Sequence, residues 1–214
     1  MSSLNIYFIV ALLVAITVHE FAHAWTATYL GDPTAQYQGR ISLNPLRHLD
    51  PLGTLMLFIA GFGWGKPVPF NPRNLKNPHR DSALIALAGP LANLIIILVF
   101  AIPYRYLFGH LSILTLENSF SFTFFFFRLI QAIISLNLIL MIFNLLPFPP
   151  LDGAKIFSIF IPSRYLSKLA TYERYGYFLL LIILLSDRLL GIPILTYILV
   201  PIIDFSWSLI LFST

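Results

Sequence analysis

Long apolar runs separated by short polar stretches dominate the hydrophobic pattern of this chain. A helix that crosses the hydrocarbon of a bilayer needs roughly 20 residues. Five runs have about this length, and they cover about 4–29, 82–104, 121–146, 175–190 and 193–212. A sixth run, Pro51 to Gly65, is shorter and contains four glycines, which favours a re-entrant or interfacial segment. The pattern predicts an all-α polytopic membrane protein with about five transmembrane helices.

The polar stretch after the first run has a different pattern. Gly31-Asp32-Pro33 is followed by alternating polar and apolar residues from Tyr37 to Leu43, and then by Asn44-Pro45. Alternation between turn residues is typical of an extended segment. We therefore expect a short extended segment or a small β-hairpin at the membrane interface between residues 30 and 50. Segment 66–80 is rich in proline and basic residues and is expected to form an irregular loop.

Composition supports a membrane protein and excludes several other classes. The chain is 58% hydrophobic and 10% charged, with a mean hydropathy of +0.84, so it has too few polar groups to cover a water-soluble surface. It has no cysteine, which excludes cysteine proteases and thiolate metal ligands. We expect residues 1–214 to form a single integral-membrane domain, with a core over about 4–160 and C-terminal helices over about 175–212.

Lysine and arginine are distributed unequally over the two expected faces of the membrane. Cytoplasmic loops carry the excess of basic residues in membrane proteins. If the N-terminus is outside, only Arg105, Arg128 and Arg188 lie near the outer face. The inner loops then hold ten basic residues: Arg40, Arg47, Lys66, Arg73, Lys76, Arg80, Lys155, Arg164, Lys168 and Arg174. We expect a multi-pass protein of the cell membrane with a non-cytoplasmic N-terminus. The net charge of +4 then reflects topology, and nucleic acid is not an expected partner.

The first apolar run contains the string His19-Glu20-Phe21-Ala22-His23. A spacing of four places both imidazoles on one helix face, with Glu20 beside them. Two neutral imidazoles can bind Zn²⁺, and a neighbouring glutamate can accept a proton from water that the ion activates. These residues could instead pair with other helices, but ionisable groups at membrane depth are costly and usually functional. The motif predicts a site for one zinc ion on the cytoplasmic side, with Glu20 as the catalytic base.

A catalytic zinc site needs a third protein ligand, and the chain offers several candidates. His48 and His79 lie in polar loops, where we expect them to be solvated, and His110 lies toward the opposite face. Asp152 follows a long apolar run at a point where three prolines must break the helix. Broken backbone at membrane depth is tolerated where it lines a protein cavity. Asp152 is therefore the favoured ligand, and the alternative is that it caps a helix beginning near Ala154.

The string HEFAH together with NLLPFPPLDG at 144–153 resembles the site-2 protease family of intramembrane metallopeptidases. The stretches GRISLNPLRHLDPLG at 39–53, GKPVP at 65–69 and AGPLAN at 88–93 are similar to the shorter bacterial-type members. This resemblance covers about 17–160. It implies that His19, His23 and Asp152 hold zinc and that Glu20 is general base and acid. It also implies that the segment around 34–50 forms a membrane-associated β-hairpin near the path of the substrate.

Two asparagines, Asn93 and Asn144, match family asparagines near the catalytic centre. The resemblance implies that they stabilise the oxyanion or hold the substrate backbone. For Asn93 the alternative is structural, because it follows Gly89-Pro90 in a pattern that lets helices approach closely and bond through an amide. Larger members of the family carry PDZ or CBS domains, which we do not find in this chain, so the choice of substrate is not predicted.

The expected function is hydrolysis of peptide bonds in membrane-spanning or membrane-associated proteins by a zinc metalloendopeptidase. A membrane metal transporter is an alternative, but no comparable polar cluster lies in the outer half of the apolar runs. A zinc-binding regulator without catalysis is the other alternative, and it would not require Glu20. The expected partners are a membrane-protein or peptide substrate and the lipid bilayer.

Overall fold

A computed structural model describes residues 5–60, 63–111, 122–162 and 193–211, together with 165, 172, 175–176, 178–184, 186 and 191. Within these residues the regular structure is helical, which confirms the all-α class. The helices are α1 (Ile6–Tyr29), α2 (Thr34–Tyr37), α3 (Pro51–Ala60), α4 (Pro78–Leu111), α5 (Phe122–Asn144), α6 (Asp152–Ser158) and α7 (Ile194–Leu211), with 3₁₀ turns at Pro45–Arg47 and Pro72–Asn74. Residues 178–184 are also helical.

Three helices, α1, α4 and α5, are long and apolar enough to cross a bilayer, so the chain is a multi-pass membrane protein. They correspond to the first three predicted spans. The fifth predicted span becomes α7, a shorter apolar helix. The fourth, about 175–190, is described only in part and is helical over 178–184. Helix α3 has 10 residues and a length of about 15 Å, half the hydrocarbon thickness. Helix α3 is therefore too short to cross the bilayer, as its short, glycine-rich sequence predicts.

The expected β-hairpin over about 34–50 is wrong. This segment, all of it described, contains α2 and a 3₁₀ turn, and its only β pairing is an isolated bridge between Leu49 and Gly65. Local side-chain bonds turn the backbone instead: Asp32 accepts from the Thr34 amide, and Asn44 accepts from the amide of Leu46. Such Asx turns compete with strand formation, so alternation alone does not produce a strand.

Helix α1 packs through a face of small residues that continues into the polar motif. Ala11, Ala15, His19, His23 and Ala27 follow one another at intervals of four and are all buried. Residues at this spacing share a helix face, and small side chains let neighbouring helices approach closely. The face packs against α4 and α5. It thereby brings the two imidazoles into the centre of the three-helix bundle.

The opposite surface of α4 is apolar and exposed. Leu91, Ile95, Leu98 and Ile102 are between 46% and 75% exposed, and their spacing defines a continuous stripe. Such a stripe is suited to contact with lipid rather than water. The helix therefore has one face for the bundle and one for the bilayer.

Candidate metal centre

Asp152 reaches the two histidines because the chain turns sharply after α5. The loop from Leu145 to Leu151 closes through backbone hydrogen bonds, and Asp152 is the first residue of α6. A Cβ atom at Gly153 would overlap the carbonyl groups of Leu145 and Leu146. Glycine at this position therefore allows α6 to begin directly against the end of α5.

Three potential ligand atoms meet at this point. Asp152 Oδ2 lies 3.1 Å from His19 Nε2 and 3.2 Å from His23 Nε2, and the two Nε2 atoms are 3.0 Å apart. Ligands about 2 Å from a tetrahedral zinc ion are roughly 3.3 Å from one another. The triangle therefore has the dimensions of a zinc site with a fourth position for water or substrate.

The other nitrogen of each imidazole is already bonded to the protein. His19 Nδ1 donates to Asn93 Oδ1 at 2.7 Å, and His23 Nδ1 donates to the carbonyl oxygen of Ile85 at 2.7 Å. These bonds assign the hydrogens to Nδ1 and leave both Nε2 lone pairs facing Asp152 Oδ2, a buried atom that accepts no hydrogen bond. Three converging lone pairs repel one another unless a cation lies between them. The residues therefore fit a zinc ion.

Helix α4 passes directly behind this triangle. A Cβ atom at Gly89 would lie 2.5 Å from His23 Nε2 and 2.6 Å from His19 Cε1. These separations are far shorter than van der Waals contact, so only glycine allows α4 to approach the imidazoles this closely.

Glu20 lies beside the triangle and bonds to a different part of the chain. Its Oε2 atom accepts a hydrogen bond of 3.1 Å from the Val68 amide and lies 3.9 Å from Arg40 Nη2. The segment that includes Val68 therefore borders the candidate active site.

Comparison with known proteins agrees with this arrangement. The family model described as Peptidase family M50 matches residues 7–186. The chain belongs to peptidase family M50. It is 37% identical over 204 residues to "Putative zinc metalloprotease YwhC" of Bacillus subtilis, a match that covers 94% of this chain and 88% of that protein. "Putative zinc metalloprotease Rip2" of Mycobacterium tuberculosis is 31% identical over 185 residues, which cover 84% of this chain and 66% of Rip2.

No solved structure matches this chain. Membership of family M50 confirms the resemblance to the site-2 proteases and identifies the chain as a zinc metalloprotease. The buried group of His19, His23 and Asp152 is consistent with the zinc site of such an enzyme.

The other histidines of this M50 peptidase lie elsewhere. His48 is fully buried, and its Nε2 donates to the Ser42 carbonyl oxygen at 2.7 Å, so the expectation that it is solvated is wrong. His79 is half-buried, and the side chain of His110 lies outside the described residues. Asp152 begins α6, whose N-cap is Leu151, so it is not the cap that the alternative interpretation required.

The two asparagines differ in their surroundings. Asn93 is fully buried and its amide nitrogen donates to the Ala15 carbonyl at 3.2 Å and to Asn137 Oδ1 at 2.8 Å. Asn144 Nδ2 donates to Leu140 within its own helix. Sequence reasoning missed Asn137, although a buried amide in an apolar helix is itself a signal of a polar network.

Proposed function

We propose that this M50 peptidase holds one zinc ion with His19, His23 and Asp152 and hydrolyses peptide bonds of membrane-spanning or membrane-associated substrates. The observation that supports this most directly is the triangle of Nε2, Nε2 and Oδ2 atoms, with sides of 3.0–3.2 Å. A metal path across the bilayer would not need a glutamate beside the triangle. A purely structural site would normally be closed by four protein ligands.

Zinc held by His19, His23 and Asp152 would supply Lewis acidity, which would polarise a bound carbonyl group and increase the acidity of water. In our proposal Glu20 accepts the proton of the attacking water and then donates it to the leaving amine. Both amide hydrogens of Asn93 are bonded within the protein, so we assign Asn93 to the orientation of His19. A contact with the oxyanion or the substrate backbone stays a prediction for Asn144.

The depth of the triangle supports an intramembrane reaction near one face. His23 lies within α1, and the exposed aromatic residues Trp25 and Tyr29 follow in the last turns of the helix. Exposed aromatic residues of this kind concentrate at membrane–water interfaces. The basic residues of the adjoining loops make this the cytoplasmic face in our proposal. The substrate must be extended there, because a helix hides its carbonyl groups in hydrogen bonds.

Purified protein and a labelled single-span peptide test the proposal. Cleavage should stop on treatment with a zinc chelator and return when zinc is added. Glu20→Gln should retain one zinc per chain and lose at least roughly 10²-fold in kcat, because an amide cannot accept the proton. Cleavage that a chelator does not affect, or a Glu20→Gln variant with normal kcat, would contradict the proposal.

A further inference from the structure

The segment next to Glu20 offers very few backbone donors. Pro67 and Pro69 have no amide hydrogen, so Val68 carries the only one between 67 and 69. That hydrogen is donated to Glu20 Oε2 at 3.1 Å. Gly65 lies next to the other oxygen of this carboxylate, since a Cβ atom built at Gly65 would lie 3.8 Å from Oε1. One carboxylate oxygen is thus bound by backbone, while the other faces a residue without a side chain.

The side chain of Arg40 bonds to the backbone of this segment. Its side chain is 3% exposed, Nη1 donates to the Pro67 carbonyl at 3.1 Å, and Nη2 donates to the carbonyl of Lys66. The Lys66 amide in turn donates to the His48 carbonyl at 2.8 Å. The backbone immediately before Val68 is therefore held from two directions.

Burial of the Arg40 guanidinium beside a carboxylate costs desolvation free energy, and the contacts of Arg40 offset only part of this cost. Its Nε atom is buried without a hydrogen-bond partner, and its separation of 3.9 Å from Glu20 is too long for a direct hydrogen bond. A planar guanidinium can reach two neighbouring carbonyl groups at once, which a lysine cannot do with the same geometry. The contacts point to a function for arginine beyond charge pairing.

We propose that Arg40 is a positioning residue for the reaction: it clamps the 66–67 backbone so that the Val68 amide holds the Glu20 carboxylate in its working orientation. The bond to Oε2 leaves Oε1 as the oxygen that handles the proton. This inference rests on the proposed role of Glu20 as the base. Arg40 touches neither the triangle of ligand atoms nor, in this proposal, the substrate.

Substitution of Arg40 separates positioning from folding. Arg40→Met removes both clamping bonds and should lower kcat by about 10- to 100-fold, the usual cost of losing a group that orients an active-site residue. KM and zinc content should stay near wild type, and Tm should fall by only a few degrees, because the Lys66 and Pro67 carbonyl groups lose their donors. Arg40→Lys retains the charge and one donor direction, so its kcat should be intermediate. Arg73→Met, at an exposed arginine of the same region, is the matched control and should have normal kinetics.

A second pair of variants tests the amide itself. Val68→Pro removes the hydrogen that Glu20 accepts, whereas Val68→Ala retains it and shortens only the side chain. Val68→Pro should therefore lose much more kcat than Val68→Ala, with zinc content equal in both. This pair decides the question if Arg40→Met does not fold.

The outcomes are separable from those of the proposed function. If Glu20→Gln is inactive but Arg40→Met and Val68→Pro retain wild-type kcat, the positioning role is wrong and the base assignment stands. A loss of kcat in Arg40→Met that parallels losses of zinc and Tm would also overturn the inference, because Arg40 would then only support the fold. If Glu20→Gln is active, the base assignment itself fails.

Discussion

At the scale of single residues, Asn93 connects three helices at the metal centre. It accepts from His19 of α1 and donates to Ala15 of α1 and to Asn137 of α5. Asn137 donates in turn to the Ile133 carbonyl at 2.8 Å. Every member of this buried network has a partner, which is the condition under which buried polar groups add rigidity rather than instability.

We predict that Asn93→Leu weakens zinc binding by roughly 10- to 100-fold, because His19 loses the acceptor that orients its ring. Competition with a chelator of known zinc affinity measures the change. Leu91→Ala, at a lipid-exposed position of the same helix, should bind zinc normally. Unchanged zinc affinity in Asn93→Leu would show that the asparagine does not orient His19.

Asp32 makes a second buried network, away from the metal centre. Burial raises the pKa of its carboxyl group, but hydrogen bonds from Thr34, Asn74 and the Asn71 amide outweigh this effect and hold the pKa below its ordinary value of 3.8. The folded state therefore resists protonation of Asp32. Its contribution to stability is complete above pH 3.8 and is lost as the pH falls through the lower pKa of the folded state.

We predict that Asp32→Asn lowers the free energy of unfolding by about 2 kcal/mol near neutral pH, the typical strength of a hydrogen bond to a charged group. Below pH 3.8 the difference from wild type should shrink, since the wild-type carboxylate becomes protonated there. Unfolding in detergent, followed from pH 7 downward, measures both effects. A difference that is constant with pH would contradict this account.

At the scale of elements, the contact between α1 and α4 decides whether the metal centre can form. The polar motif lies on a face of alanines, and Gly89 of α4 is the residue that meets it. Pro90 follows inside the helix and has no amide hydrogen to donate. This glycine-proline pair places the backbone of α4, rather than a side chain, against both imidazoles.

We predict that Gly89→Ala displaces the imidazoles and reduces zinc content and proteolysis together. An added methyl group in a packed site costs about 1–3 kcal/mol, which a three-helix bundle can survive. Leu98→Ala, on the exposed stripe of α4, is the control and should retain both. Zinc analysis and size-exclusion chromatography of the two variants give the comparison. Full zinc occupancy in Gly89→Ala would be inconsistent with the close approach described above.

At the scale of the whole molecule, the regions before α4 and after α5 meet at one end of the bundle. Lys155 of α6 lies 4.9 Å from the ring of Phe70, and Asp152 contacts the histidines of α1. An antiparallel order of α1, α4 and α5 requires this arrangement. Both regions therefore lie on the same side of the membrane, and the basic residues they contain identify that side as cytoplasmic in our proposal.

A single introduced cysteine tests this orientation, because the chain has no cysteine of its own. We predict that Ser42→Cys reacts with an impermeant thiol reagent only after cells are permeabilised. Ser119→Cys, between α4 and α5, should react in intact cells. The reverse pattern would place the metal centre near the outer face.

The residue pattern by itself determined the properties that depend on neighbours in sequence. The lengths of the spans, the spacing of the two histidines in HEFAH and the helix break after α5 all depend on residues close together in sequence. They could therefore be predicted from the chain alone. The hairpin over 34–50 could not, because alternation was overridden by Asx turns at Asp32 and Asn44. The local pattern also does not show which distant parts of the chain a side chain packs against, which is why the roles of Asn137 and Arg40 were not anticipated.

Only the tertiary structure decided which distant groups meet. Several carboxylates and histidines were available along the chain, but helix packing brings Asp152 to within 3.2 Å of both Nε2 atoms of the motif and buries His48 elsewhere. Likewise, Gly89 and Val68 matter because of the groups next to them: Gly89 lies against both imidazoles, and the Val68 amide bonds to Glu20. A zinc-site triangle is set by separations of a few ångströms, and these arise from the close approach of whole helices, which sequence spacing does not encode.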